Sequence, residues 1–145
     1  MDIFVLDYLY EDKELEKERS EEIKRIICIA DAIETEDIPR NICEIELRKF
    51  EHKYKVQIDR KLNAVNMRIE LYRLAEKQMA RVPESESNHL GQIFPWIMLG
   101  NEGFDKKYYQ KTLCLPFENR FMPVPAYYHL VLAGRYVNYF QIHKT

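Results

Sequence analysis

This 145-residue sequence predicts a mainly helical fold, a long antiparallel helical hairpin with an aromatic-rich C-terminal segment packed on it. Three observations carry that reading. Apolar residues recur at helical spacing through residues 12–34 and 40–82. All four glycines and five of the six prolines lie after residue 82, leaving only Pro39 before it. Charge is also divided: residues 1–39 hold 13 acidic and 5 basic side chains, and residues 40–82 hold 6 acidic and 11 basic. The simplest use of that division is an acidic arm folded back on a basic one, each exposed ion pair contributing under ~1 kcal/mol.

Residues 3–10 alternate as a strand does, yet their unbroken run into Asp12 also permits a helix from the start. From Asp12, an N-cap by type, Leu15, Arg19, Ile23, Ile26, Ile27, Ala30 and Ile33 mark the buried face of a first helix, 12–34. Pro39 biases Ile38 away from helical geometry, so that helix should stop within 35–39. Asp37 is then placed to cap the next one, with Pro39 in its first turn.

Segment 40–82 shows the longest pattern. Leu47, Phe50, Tyr54, Ile58, Leu62, Val65, Ile69, Tyr72, Ala75, Met79 and Val82 follow at steps of 3 or 4, the heptad spacing of a coiled-coil seam. An uninterrupted helix of that length would span about 64 Å, more than a compact domain of this size needs. Either it breaks internally, or part of it projects towards a partner.

Pro83 to Leu90 is a polar turn dividing a helical hairpin region, 1–82, from an aromatic-rich region, 83–145, within a single domain 1–145. Twelve of the 18 aromatics fall after it. Gly100 to Gly103 reads as a turn, and the prolines of Phe121 to Pro125 exclude a central strand. Residues 126–143 are read as a helix entered at Pro125, with Gly134 permitting close contact. The alternative is an α+β fold in which a C-terminal β-hairpin pairs with an N-terminal strand.

Chemistry is mainly excluded. There is no glycine-rich phosphate loop, nucleophile elbow, His-Glu-x-x-His pair or calcium loop. His52 has Val56 at i+4, which breaks a metal edge, and no cofactor or metal is expected. His129, within Tyr127-Tyr128-His129-Leu130, reads as a buried or aromatic-packed histidine, and His89 as a surface turn residue. Cys28 and Cys114 read as core. Cys43, beside Arg40 near a helix N-terminus, is the one cysteine whose thiol has an argument for reactivity, although packing is the favoured role.

The three cysteines are odd in number and widely spaced, which suits a reducing, cytoplasmic setting. No apolar run is long enough to span a membrane, and no basic leader precedes an apolar stretch.

The expected function is therefore non-enzymatic protein–protein interaction: an inhibitor, immunity-type neutraliser, adaptor or assembly subunit, acting on a protein partner or by self-association into an oligomer. The candidate contact residues are Phe94, Trp96, Met98, Tyr108 and Tyr109. One alternative is nucleic-acid binding through Arg48, Lys49, Lys53, Lys55, Arg60, Lys61 and Arg68 with Lys106 and Lys107, where cations alternate with stacking aromatics. The other is an enzyme with a dispersed site around His129 or Cys43.

Overall fold

The computed structural model describes residues 5–93 and 103–136, apart from the side chain of Arg135. They form four helices and two small antiparallel sheets, a mixture of helix and strand. The opening element is strand β1, Asp7–Tyr8. Helix α1, Lys13–Glu34, starts where the sequence places it. The Asp12 carboxylate accepts from the amides of Glu14 at 2.9 Å and Leu15 at 3.2 Å, satisfying donors that the first turn leaves free. Arg19, Ile23, Ile26, Ile27 and Ala30 are its buried face. Each of the three isoleucines removed from water contributes about 2 kcal/mol. The helix ends at Thr35, whose amide returns to the Asp31 carbonyl at 3.0 Å.

Helix α2, Arg40–Tyr54, follows directly. Pro39 is its N-cap in extended geometry rather than a first-turn residue, and Asp37 does not cap it. Of the two alternatives for 40–82, the internal break is the one observed, so the segment is not one long hairpin arm: α2 stops at Lys55, which has φ 55° and ψ 42°, and helix α3, Ala64–Met79, begins anew. The connecting segment turns inward to bury Ile58. Asn63 restarts the ladder by accepting from the Asn66 amide at 2.8 Å.

The break also resets the helical phase. In α3 the buried positions are Met67, Leu71, Leu74, Ala75 and Gln78, while Val65 and Ile69, expected on the seam, are exposed. A spacing of 3 or 4 survives a break, since residues in a loop can satisfy it by coincidence. Its phase does not.

Helix α1 packs chiefly on α3 and less on α2. The opposed charges of the two arms meet in both contacts. Glu22 pairs with Lys53, and the Arg25 guanidinium meets Glu46 at 2.7 Å. Arg68 reaches Asp31 at 2.9 Å and Glu34 at 2.8 Å.

After a 3-10 turn at Glu84–Glu86, strands β2, His89–Gly91, and β3, Phe104–Asp105, complete a three-stranded sheet in the order β1-β2-β3. Tyr8 stands opposite Leu90, and Leu90 opposite Phe104. Gly103 has φ 73°, and a Cβ there would lie 2.5 Å from the buried Leu9 side chain. That close approach, with the positive φ, is why glycine is required at this position.

A second 3-10 turn, Lys106–Tyr109, leads into strands β4, Thr112–Phe117, and β5, Arg120–Pro125, a separate two-stranded ribbon. Helix α4, Tyr128–Arg135, follows. A helix in this segment agrees with the expectation, and the N-terminal strand pairs with β2 rather than with a C-terminal hairpin. Gly134, expected to permit close contact with another helix, instead approaches strand β3, where a Cβ would meet the Phe104 ring at 2.9 Å.

Candidate functional site

The β4–β5 ribbon is the element whose surface the rest of the described chain leaves most open. Its two strands join through Glu118-Asn119, with Glu118 at φ 53°, the sign that a tight two-residue hairpin turn requires at its first position. Opposed residues share a face. One face therefore carries Leu113 with Val124, Leu115 with Met122, and Phe117 with Arg120. The other carries Thr112 with Pro125, Cys114 with Pro123, and Pro116 with Phe121. Both faces are largely apolar; Leu115, Val124 and Pro125 are half-buried, and the other positions of both strands are exposed. Phe121 is 74% exposed, Phe117 62%, Leu113 46% and Met122 37%.

The backbone ladder explains how three prolines fit a strand pair. The Ala126 amide donates to the Lys111 carbonyl at 2.7 Å, so the pair 111–126 is hydrogen-bonded. Antiparallel pairs alternate, which makes 113–124, 115–122 and 117–120 the bonded pairs of the ribbon. Pro116, Pro123 and Pro125 all fall in the intervening pairs, where backbone groups point outward. None removes a ladder bond. The outer edge of β5 consequently offers only the Phe121 amide, whereas that of β4 offers the amides of Thr112 and Cys114.

Of the contact residues expected from sequence, Tyr108 and Tyr109 lie in the 3-10 turn at the base of this ribbon, where the Tyr108 and Tyr127 rings are 5.8 Å apart. Phe94, Trp96 and Met98 lie outside the described residues. Leu113, Phe117, Phe121 and Met122 were missed as surface. The period-two run Thr112 to Phe117, ending at Glu118-Asn119 and mirrored by Arg120 to Pro125, was the available signal.

The basic residues of the nucleic-acid alternative are largely engaged within the chain. Arg48 pairs with Glu44 at 2.9 Å, Lys49 with Glu46 at 2.9 Å, and Lys53 with Glu22. Arg60 spans Glu44 at 3.0 Å and Glu51 at 2.8 Å, and Arg68 holds the end of α1. Lys106 donates to the Glu84 carbonyl at 3.1 Å, and Lys107 pairs with Asp105 at 3.3 Å.

The residues weighed for catalysis do not converge. Burial pushes the Cys43 thiol up, with Glu44 adding to the shift and Arg60 opposing it, which is the direction away from a reactive thiolate. Cys28 and Cys114, expected in the core, are exposed. Cys28 falls off the α1 stripe, and Cys114 sits on the ribbon. His129 is exposed as well, its ring centroid 3.9 Å from that of Tyr128.

An open groove of about 540 Å³ runs between the 56–62 segment and α3, with Ile58, Leu62, Leu71 and Leu74 in its lining and Asp59, Glu70, Arg73 and Lys77 among them. No serine, cysteine or histidine lines it. Among the described residues, no cluster of three or more His, Cys, Asp or Glu is arranged to hold a metal, and no helix is long and apolar enough to cross a membrane.

No protein-family model, curated protein or solved structure matches the chain.

Proposed function

We infer that the chain is a non-enzymatic protein-interaction module whose contact element is the β4–β5 ribbon. The observation that carries this reading is the exposure of Leu113, Phe117, Phe121 and Met122 on a ribbon two strands wide. A two-stranded hairpin is marginal by itself in water, and large apolar side chains on both of its faces favour association. Aromatic anchors of this kind are also what dominates binding energy at protein interfaces. The odd, widely spaced cysteines support the cytoplasm as its setting.

The overlong helical seam, which first suggested a partner, no longer supports one. With 15 and 16 residues, α2 and α3 are each about 24 Å long or less, shorter than the 22-residue α1 at about 33 Å. The support now rests on the ribbon.

The test replaces Phe117 and Phe121 together by serine. Both side chains are exposed, so the helical core should keep its cooperative unfolding. We expect the wild-type chain to associate, with itself or with a protein from its source, and the double variant to lose that association by a factor of ten or more, about 1.4 kcal/mol. Equal behaviour of the two chains in light scattering and in capture from the source would overturn the reading.

A further inference from the structure

We propose that the ribbon's partner is a second copy of this chain, joined antiparallel along the outer edges of the two β4 strands to make a four-stranded sheet. The proposal rests on the reading of the ribbon as the contact element and names its occupant. The prolines choose the edge. Pro123 and Pro125 strip the outer edge of β5 of donors, so strand addition there would leave the incoming carbonyls unanswered. The outer edge of β4 keeps the amides of Thr112 and Cys114 and the carbonyls of Thr112, Cys114 and Pro116. All three residues are exposed.

That set of groups is self-complementary about a two-fold axis through Cys114. With Cys114 opposite Cys114 of the second copy, each amide donates to the other's carbonyl. Thr112 then stands opposite Pro116 of the second copy, its amide meeting a carbonyl on a residue that has no amide of its own to satisfy. Every outward donor of β4 finds an acceptor. The same register sets Leu113 against Leu115 of the second copy, twice, in the closer non-bonded pairs.

Charge agrees with the antiparallel sense. Lys111 precedes β4 and Glu118 follows it, so head-to-tail pairing brings each Lys111 beside the Phe117 ring and the Glu118 carboxylate of the other copy. A parallel arrangement would place like charges together. Pairing also widens each ribbon from two strands to a shared sheet of four, past the width at which a sheet becomes independently stable.

The experiment compares wild type, Cys114→Ser and Cys114→Pro by light scattering from micromolar to millimolar concentration, with a short bismaleimide as cross-linker. Proline at 114 removes only an outward amide and leaves the β4–β5 ladder intact, which hydrogen exchange on the ladder amides would verify. We expect dimers for wild type and Cys114→Ser, with a dissociation constant raised about tenfold or more in Cys114→Pro, because two symmetry-related bonds are lost. In a background with Cys28 and Cys43 replaced by alanine, the cross-linker should join chains that keep Cys114 and not Cys114→Ser chains.

A wild type that stays monomeric throughout, or a dimer that Cys114→Pro leaves unchanged, overturns the proposal. If the chain is monomeric yet captures another protein in a manner that Phe117 and Phe121 govern, the second copy is excluded while the ribbon's role as contact element stands. If neither occurs, both fail.

Discussion

The Glu51 carboxylate, near the end of α2, accepts the amide of Ile58 at 2.8 Å and so holds the chain where it leaves the helix. Arg60 closes the arrangement, donating to Glu51 at 2.8 Å and to the Ile58 carbonyl at 2.6 Å. Glu51 thus stabilises the turn that divides residues 40–82 into α2 and α3. Replacing it by alanine should lower the urea midpoint and raise hydrogen exchange at Ile58, while Glu44→Ala should do less because it leaves the amide bond in place. Equal effects of the two substitutions would show that the charge on Arg60, rather than the amide bond, secures the turn.

The same network sets the acid response. Its Arg60 hydrogen bond, reinforced by the Ile58 amide, holds the Glu51 carboxyl well below the usual carboxylate range, at about 2. Glu44, through Arg60 and Arg48, and Glu46, through Arg25, are lowered too. A carboxylate depressed in the folded state favours folding above its unfolded value and loses that contribution as pH falls through the folded one. Stability should therefore decline from about pH 4.5 towards pH 2, and Glu51→Gln should flatten the decline. Asp7 acts in the opposite sense, since burial raises its carboxyl and favours the folded state at low pH. A midpoint of denaturation independent of pH across that interval would contradict this assignment.

Arg19 is the one fully buried charged side chain among the described residues, and it ties three elements together. Its guanidinium donates to the Tyr8 carbonyl at 3.1 Å, the Met79 carbonyl at 3.2 Å and Glu16 at 2.7 Å. Arg19→Ala should cost about 3–5 kcal/mol by taking the guanidinium from two carbonyls and from Glu16, which keeps only the Tyr10 amide at 2.8 Å. Arg19→Met restores the packing, and because the Arg19 Nε has no partner to lose, it should recover part of that cost. Chemical denaturation of both variants measures the difference.

Glu118 holds a backbone conformation, φ 53°, that glycine adopts without strain. Glu118→Gly should stabilise the ribbon by up to about 1 kcal/mol, seen as slower exchange of the Leu113, Leu115 and Val124 amides. Faster exchange would mean that the entropy of the unfolded chain outweighs the relieved strain.

Much of the helical part was legible because local chemistry decides it. Asp12 caps α1, and the apolar spacing from Ile23 to Ala30 selects its buried face, both within a turn or two of chain. The division of charge foretold that the acidic and basic arms would meet, as Arg68 does with Asp31 and Glu34. That 40–82 could break was legible from its length, but the position at Lys55 was not, since no glycine or proline marks it. It depends on Ile58 finding the core and on Glu51 and Arg60 reaching across sequence to stabilise a turn.

Cys114 shows the same division for the ribbon. Its neighbours Leu113 and Leu115 read as core, yet burial requires a covering element, and among the described residues Leu113 is left exposed and Leu115 half-buried. The sequence by itself determined where α1 starts, which of its faces is apolar and which charges must be neutralised, because those follow from neighbours a few residues apart. The tertiary structure alone decided the phase of α3, the partner of β1 and the exposure of β4 and β5. Those depend on pairings between distant residues, whose free energy no local pattern contains.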